Sequence, residues 1–256
     1  MEVITVANNK GGVGKTMQCY QMACYLANKN YKVLVIDMDS QANLSTTFGI
    51  QVPRTYIPEW LIGDVKIEEI IVDVEGDGIY QNIKLVASSR HLANLSKLLI
   101  LSEGEIRKNS GRKELLLKKR ISEINIPFDY VVIDTPPMLG DELIMSIVAA
   151  HRILIPTQTQ DYSIDGLEEL MDTVEVIKET ENPDMEFSII PSMVNLRRNI
   201  EKQRLEELSQ SFKITPPIRN LVQMQESISV HRPIVMMGKK TKGREDYDAL
   251  WEFLGL

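Results

Sequence analysis

The chain has 256 residues, 43% of them hydrophobic and 25% charged, with a formal net charge of −7. That length and apolar content suit one α/β domain with a substantial core, and no apolar run reaches the ~18 residues of a membrane-spanning helix. Strand-like residues follow Met1 directly, which leaves no room for a signal peptide.

The first apolar run, Val3-Ile4-Thr5-Val6-Ala7, predicts a strand, and 17–28 predicts an amphipathic helix. Between them lies Lys10-Gly11-Gly12-Val13-Gly14-Lys15-Thr16. Glycines let backbone N–H groups of Gly11, Gly12, Val13 and Gly14 converge on an anion, and the helix N-terminus adds partial positive charge. Lys15 is placed to reach β- and γ-phosphates, and the Thr16 hydroxyl to ligate Mg²⁺. Asn9 stands where the motif usually opens on glycine, and Lys10 adds a second lysine: the deviant form of the P-loop. Cys19 and Cys24, on the helix after the loop, read as small buried hydrophobes rather than a disulfide or cluster ligands. A reduced, cytoplasmic setting is expected.

Strand 33–37 ends in Asp37-Met38-Asp39-Ser40-Gln41-Ala42-Asn43. Two carboxylates beside a phosphate site have clear uses: one holds Mg²⁺ or its waters, the other orients the attacking water. The bland alternative is a turn whose side chains cap the next helix. The stretch 49–83, with Pro53, Pro58, Gly63, Gly76 and Gly78, reads as helices and loops inserted beside the site. A strand is expected at 84–87 and helices at 91–100 and 112–124. Strand 130–134 closes on Asp134-Thr135-Pro136-Pro137, an apolar strand ending on an aspartate near the Mg²⁺ shell. Helix 141–150, strand 152–156, helix 164–179, strand 187–194, helix 199–211, a short strand at 213–216 and a helix at about 242–254 complete the pattern. This alternation predicts a P-loop NTPase-like fold: a single domain with a mostly parallel twisted sheet and helices on both faces. Ligands in such sheets lie at the carboxyl ends of strands, where each of these motifs falls.

Charge is uneven. Residues 84–120 hold ten Lys/Arg and three Asp/Glu, and 197–244 hold eleven and four, so the remainder carries −21. The first basic segment reads as solvated helix surface. For the second, the alternatives are a phosphate-backbone face or arginines paired with Glu201, Glu206 and Glu207.

KGGVGKT at 10–16, DMDSQAN at 37–43 and DTPPMLGDEL at 134–143 together resemble ParA-type partition ATPases of the ParA/MinD family. The similarity continues in 149–156 and 162–167 and, more weakly, in 194–204 and 215–234, covering most of the chain outside 49–83. The resemblance implies ATP hydrolysis with Mg²⁺ in a sandwich homodimer. It places Lys10 where the family's signature lysine reaches the partner's ATP. Lys15 and Thr16 take the in-cis phosphate and Mg²⁺ roles. Asp39 positions the attacking water, with Asp37 beside it and Asp134 in switch II as metal-shell residues. Asn195 matches the adenine-contacting residue, and Pro217 to Asn220, with Ile218, matches the loop over the base. Departures are Met17, where a threonine donates to the α-phosphate and only the backbone N–H remains, Ser40 and Ala42 in switch I, and Gln160 in place of a frequent Glu.

Family resemblance leaves the cargo open. The acidic tail Glu245 to Leu254 is expected to dock on the core, unlike a basic membrane helix. No helix-turn-helix segment precedes the P-loop strand, as in the short partition forms. The leading expectation is nucleoid-associated cargo segregation. It involves ATP-dependent, non-specific double-stranded DNA binding through Arg197, Arg198, Lys202, Arg204 and Arg219, and hydrolysis stimulated by a ParB-like centromere-binding adaptor, without a membrane. The alternative is a membrane- or pole-positioning MinD-like ATPase without DNA affinity.

Overall fold

A computed structural model describes all residues except 77, 160–163 and 238–240, with backbone alone at 109, 164–166, 225 and 229. Expectations at Gln160 and for residues 162–163 of the 162–167 motif therefore fall outside the described residues.

Seven strands form one sheet, ordered β3-β4-β2-β5-β1-β6-β7. β1 (Glu2–Val6) lies between β5 (Tyr130–Asp134) and β6 (Arg152–Gln158), parallel to both. β2 (Val33–Asp37) pairs in parallel with β5 and β4 (Ile83–Val86), and β7 (Glu186–Ser192) with β6. Only β3 (Ile71–Asp73) runs antiparallel, at the β4 edge.

Alternation along each central strand feeds two cores. Val33 and Val35 face one side with Val132, while Leu34 and Ile36 face the other with Val131 and Ile133. A parallel strand covered on both faces needs such continuous apolar sequence. The first face is closed by α1 (Lys15–Asn28), α2 (Asn43–Thr47) and α11 (Lys242–Leu254). Tyr25 stacks on Trp251 with centroids 5.2 Å apart, and Tyr247 and Leu250 are buried. The last helix docks on the core as its apolar spacing predicts. The second face is closed by α3 (Ile57–Ile62), α4 (Leu95–Leu101), α5 (Glu103–Asn109) and α6 (Leu116–Ser122). A third apolar cluster joins α7 (Asp141–Ala149), α8 (Ile164–Thr180) and β6. α9 (Asn199–Ser211) and α10 (Val222–Ser229) follow β7.

Several boundaries differ from the sequence expectation. The stretch 213–216 contributes a single bridge, Ile214 to Ile189, rather than a strand. The helix expected at 91–100 opens as a 3₁₀ turn and is helical from Leu95, and α5 and α10 were not anticipated. Residues 49–83 build α3 and the antiparallel edge, and no described residue of that stretch lines the P-loop cavity. Many basic side chains of 84–120 are ion-paired: Arg107 with Glu103, Arg112 with Glu181, Lys113 with Asp141 and Arg120 with Glu123.

Gly63 ends α3 with φ +95°, and a Cβ there would meet the Arg120 guanidinium at 2.5 Å. That guanidinium is held by the Leu61 carbonyl and Glu123. Gly63→Ala is expected to destabilise the protein by about 1–2 kcal/mol through the left-handed backbone, plus displacement of Arg120. Urea denaturation should show the loss, with nucleotide affinity unchanged.

Candidate nucleotide-binding site

The P-loop leaves β1 and is braced from two neighbouring strands. Asn8 Nδ2 donates to the Pro156 carbonyl at 2.8 Å, and Asn8 Oδ1 accepts from the Lys10 N–H at 2.9 Å. The Thr135 hydroxyl donates to the Val6 carbonyl, and Gln158 Nε2 to the Gly12 carbonyl at 2.7 Å. Gly14 precedes α1 with φ +96°, a backbone conformation that excludes most side chains, and its carbonyl accepts the Gln18 N–H. The N-terminus of α1 thus opens into a cavity of about 670 Å³. It is lined by Gly11, Gly12, Gly14, Lys15, Thr16 and Met17, and across from them Asp39, Gln41, Asn43 and Pro137. Gln158 was not singled out from sequence; its position at the end of β6, level with the loop, was the available signal.

Lys15 is buried, with Nζ donating to the Lys10 carbonyl at 2.9 Å. Burial lowers its pKa, against the opposing pull of Asp134 and Asp39. Lys10 itself is exposed on the loop's rim. Asp37 and Asp134 sit side by side, because β2 and β5 pair in register at those two residues. Both are fully buried. Asp134 Oδ2 accepts from the Thr16 hydroxyl at 2.7 Å. Asp37 accepts from the Ser45 N–H at 2.8 Å, the Ser45 hydroxyl at 2.7 Å and the Asp39 N–H at 3.1 Å. Asp37 is therefore engaged in fixing the start of α2, and Ser45 Oγ in turn accepts from the Ser88 N–H beyond β4. Asp39 lies at the cavity wall, its Oδ1 accepting from the Gln41 N–H at 2.9 Å.

Burial and then the adjacent Asp37 push Asp134 up to about 8; burial, opposed by the Ser45 hydrogen bonds, brings Asp37 to about 6. Three carboxylates crowded beneath one ammonium make a floor that a hard cation relieves. The donors present, a hydroxyl and carboxylates, fit Mg²⁺, which takes few protein ligands and completes its shell with phosphate oxygens and water. Thr16 and Asp134 are the residues that would hold it, with Asp37 behind.

The remaining expected residues divide. Ile218 lines a second, smaller cleft with Gly14, Met17 and Met193, whereas Asn195 and Pro217 do not line it. Asn195 Oδ1 accepts from the Arg197 N–H, and its own N–H donates to buried Glu201. Arg197, Arg198 and Lys202 are exposed at the start of α9. Arg198 lies 3.8 Å from Glu201. The other two arginines are tied inward: Arg204 donates to the Thr159 carbonyl at 2.6 Å, and Arg219 pairs with Asp246 and Glu245 on α11.

Among the described residues no helix is long and apolar enough to cross a membrane. A family model described as an AAA domain matches residues 1–187. The chain is 32% identical to the chromosome partitioning protein ParA of Myxococcus xanthus over 97% of this chain and 86% of that protein. A plasmid partition protein from Borrelia burgdorferi, solved bound to AMPPNP, superposes with a TM-score of 0.80 at 25% identity, covering 99% of this chain and 98% of that one. Apo McdA of Cyanthece shares the fold at TM-score 0.84, with 22% identity and full coverage of both chains.

Proposed function

The chain belongs to the ParA/MinD family of P-loop ATPases, and from that premise we propose that it is a partition ATPase whose ATP-bound form is a sandwich dimer that binds DNA non-specifically. The observation that carries this reading is the division of labour between two lysines of one loop. Lys15 is folded into the cradle, while Lys10 stands exposed on the rim, where a second protomer's phosphates would meet it. Around that rim lie exposed apolar side chains, including Met138 at 71% exposure, Leu139 and Met193, which a facing protomer would cover.

In this reading Lys15 and the loop N–H groups bind the β- and γ-phosphates of ATP, and Asp39 orients the water that yields ADP and phosphate. Mg²⁺, when bound, supplies charge neutralisation at the phosphate oxygens. Arg197, Arg198 and Lys202 form the DNA-contacting edge. Arg204 and Arg219 hold the neighbouring loops. A basic segment of a ParB-like adaptor, attracted by the acidic remainder of the surface, would enter near the switch loops and speed turnover. The working location is the cytoplasm, on the nucleoid.

Light scattering with ATP·Mg²⁺ on wild type and Asp39→Ala is expected to show a dimer, absent in Lys10→Ala, which should still bind ATP. Three basic residues per protomer contact about six phosphates, so log affinity for random duplex should fall against log salt with a slope of about −5. Reversing the charge of Arg197, Arg198 and Lys202 together should abolish retention on DNA and leave basal ATPase activity intact. A monomer at saturating ATP, or undiminished DNA retention by the reversed variant, would overturn the corresponding half of the reading.

A further inference from the structure

Of the ten Lys/Arg in 84–120, all but Arg90, Lys97 and Lys108 are held by a carboxylate or a carbonyl. The side chains of Arg90, Lys97 and Lys108 are exposed and have no polar or ring partner among the described residues. Two of the three gather at one place. Lys97 lines a groove of about 390 Å³ between α4 and residues 54–59, and Arg90 adjoins His91, which lines it too. Glu59, the one carboxylate in the lining, is already paired with Arg54, whose guanidinium also lies over the Tyr56 ring. The surplus charge at this groove is positive, and no described residue answers it.

Between those charges the groove is apolar. Leu98 and Leu101, three residues apart on α4, lie on one helix face, and Pro58 of α3 shares the lining with them. Leu101 is 73% exposed, which marks an apolar surface left for a partner when it borders a concave groove. The wall at Thr55 is fixed in advance: its N–H donates to Ser89 Oγ at 2.9 Å and its hydroxyl to the Ala87 carbonyl at 2.8 Å. The neighbouring Ser88 N–H donates to Ser45 Oγ, and the Ser45 hydroxyl donates to Asp37. A segment docked here would touch a wall hydrogen-bonded to the carboxylate behind the phosphate site, without entering the P-loop cavity. A second groove, of about 500 Å³, is lined by Leu99, Ile100 and Ile106, and differs in charge: its Arg107, Arg112 and Lys113 are each paired with a carboxylate.

We propose that the groove between α4 and residues 54–59 docks an acidic amphipathic helix of a partner protein. Its apolar side chains pack on Leu98 and Leu101, and its carboxylates meet Lys97 and Arg90. A helix laid along α4 repeats the i, i+3 spacing of those leucines, the recognition mode of a helix in a groove. A phosphate backbone would use the cations and leave the leucines bare, and a flat lipid surface would not fill a concavity. This partner is opposite in charge to the basic adaptor segment, so it occupies a different surface, and the assignment holds whether or not the chain hydrolyses ATP.

The test is selection of displayed random peptides of about 16 residues, some four helical turns, on wild type. Enriched sequences are expected to be acidic, with apolar residues at i, i+3 and i+4. For the best of them, made synthetically and followed by fluorescence anisotropy, Leu101→Ser should weaken binding about thirtyfold, as loss of a central anchor does. Lys97→Glu should weaken it about tenfold, by placing like charge against the peptide. Ile100→Ser, in the lining of the other groove, should change it less than twofold. All three positions are on the surface, so melting temperature and basal ATPase activity should match wild type. No enrichment, enrichment of basic or uncharged peptides, or binding unaffected by Leu101→Ser and Lys97→Glu would overturn the proposal. So would retention of wild type on anionic vesicles or random duplex DNA that these two variants lose, which would make the occupant a lipid surface or a nucleic acid. A change of oligomeric state in the same variants would make the groove a contact between copies of this chain and overturn it as well.

Discussion

Lys15→Ala is expected to lose ATP affinity by two orders of magnitude or more while remaining folded. Lys15 is the only cationic side chain among the described residues lining the P-loop cavity. Removing it leaves Asp39 at the wall and Asp37 and Asp134 beneath, facing a polyanionic ligand. One charge-assisted hydrogen bond contributes about 1.5–3 kcal/mol, and the unopposed carboxylates add repulsion at short range. Folding should survive, because among the described residues the ammonium donates to the carbonyl of its own loop at Lys10, and burial already disfavours its charged form. Thermal shift with and without ATP·Mg²⁺ checks both halves: an unliganded melting temperature near wild type and no rise on adding ATP. A normal ligand-induced rise would remove Lys15 from the cradle's chemistry.

Asp39→Ala should separate binding from turnover. The carboxylate is at the cavity wall but makes no contact with the P-loop backbone among its described hydrogen bonds, so ATP affinity should stay within a few-fold of wild type. A group that orients or activates the attacking water contributes on the order of 10²–10⁴ in rate. Single-turnover hydrolysis should fall by that factor. Asp37→Ala is the control with the opposite signature: it removes the acceptor of three hydrogen bonds and orphans the buried Ser45 N–H, so stability falls first. Near-normal turnover in Asp39→Ala, with turnover lost in a stably folded Asp37→Ala, would reverse the two roles.

Elements whose physics is local were legible in the sequence. The P-loop declares itself because glycines, lysine and threonine must follow one another at the turn, and the central strands because burial on both faces demands unbroken apolar runs such as Val33–Ile36. Elements decided by distant partners were not legible. β3 is three residues that become a strand only by pairing with β4. α10, Val222–Ser229, is largely polar and has no clear apolar stripe in sequence; Gln21 of α1 donates to its Ser227 at 2.6 Å. Arg219 reads as a free basic side chain because its carboxylate partner lies 27 residues downstream, beyond any i,i+4 pattern. Gln18 reads as an ordinary polar helix residue until α11 closes over it.

The sheet order also sets a timetable for synthesis. β1, the strand that launches the P-loop, has both of its neighbours, β5 and β6, more than 120 residues downstream. A nascent chain emerging at about 5–20 residues per second exposes that strand for roughly 6–25 seconds before either neighbour exists. Throughout that interval Val3, Ile4 and Val6 have no sheet to enter, and the glycines after them have no frame. Ribosome-bound chains stalled before residue 130 should therefore be protease-sensitive at their N-terminus and be candidates for chaperone capture, with protection arriving abruptly once the centre of the sheet can zip from both sides.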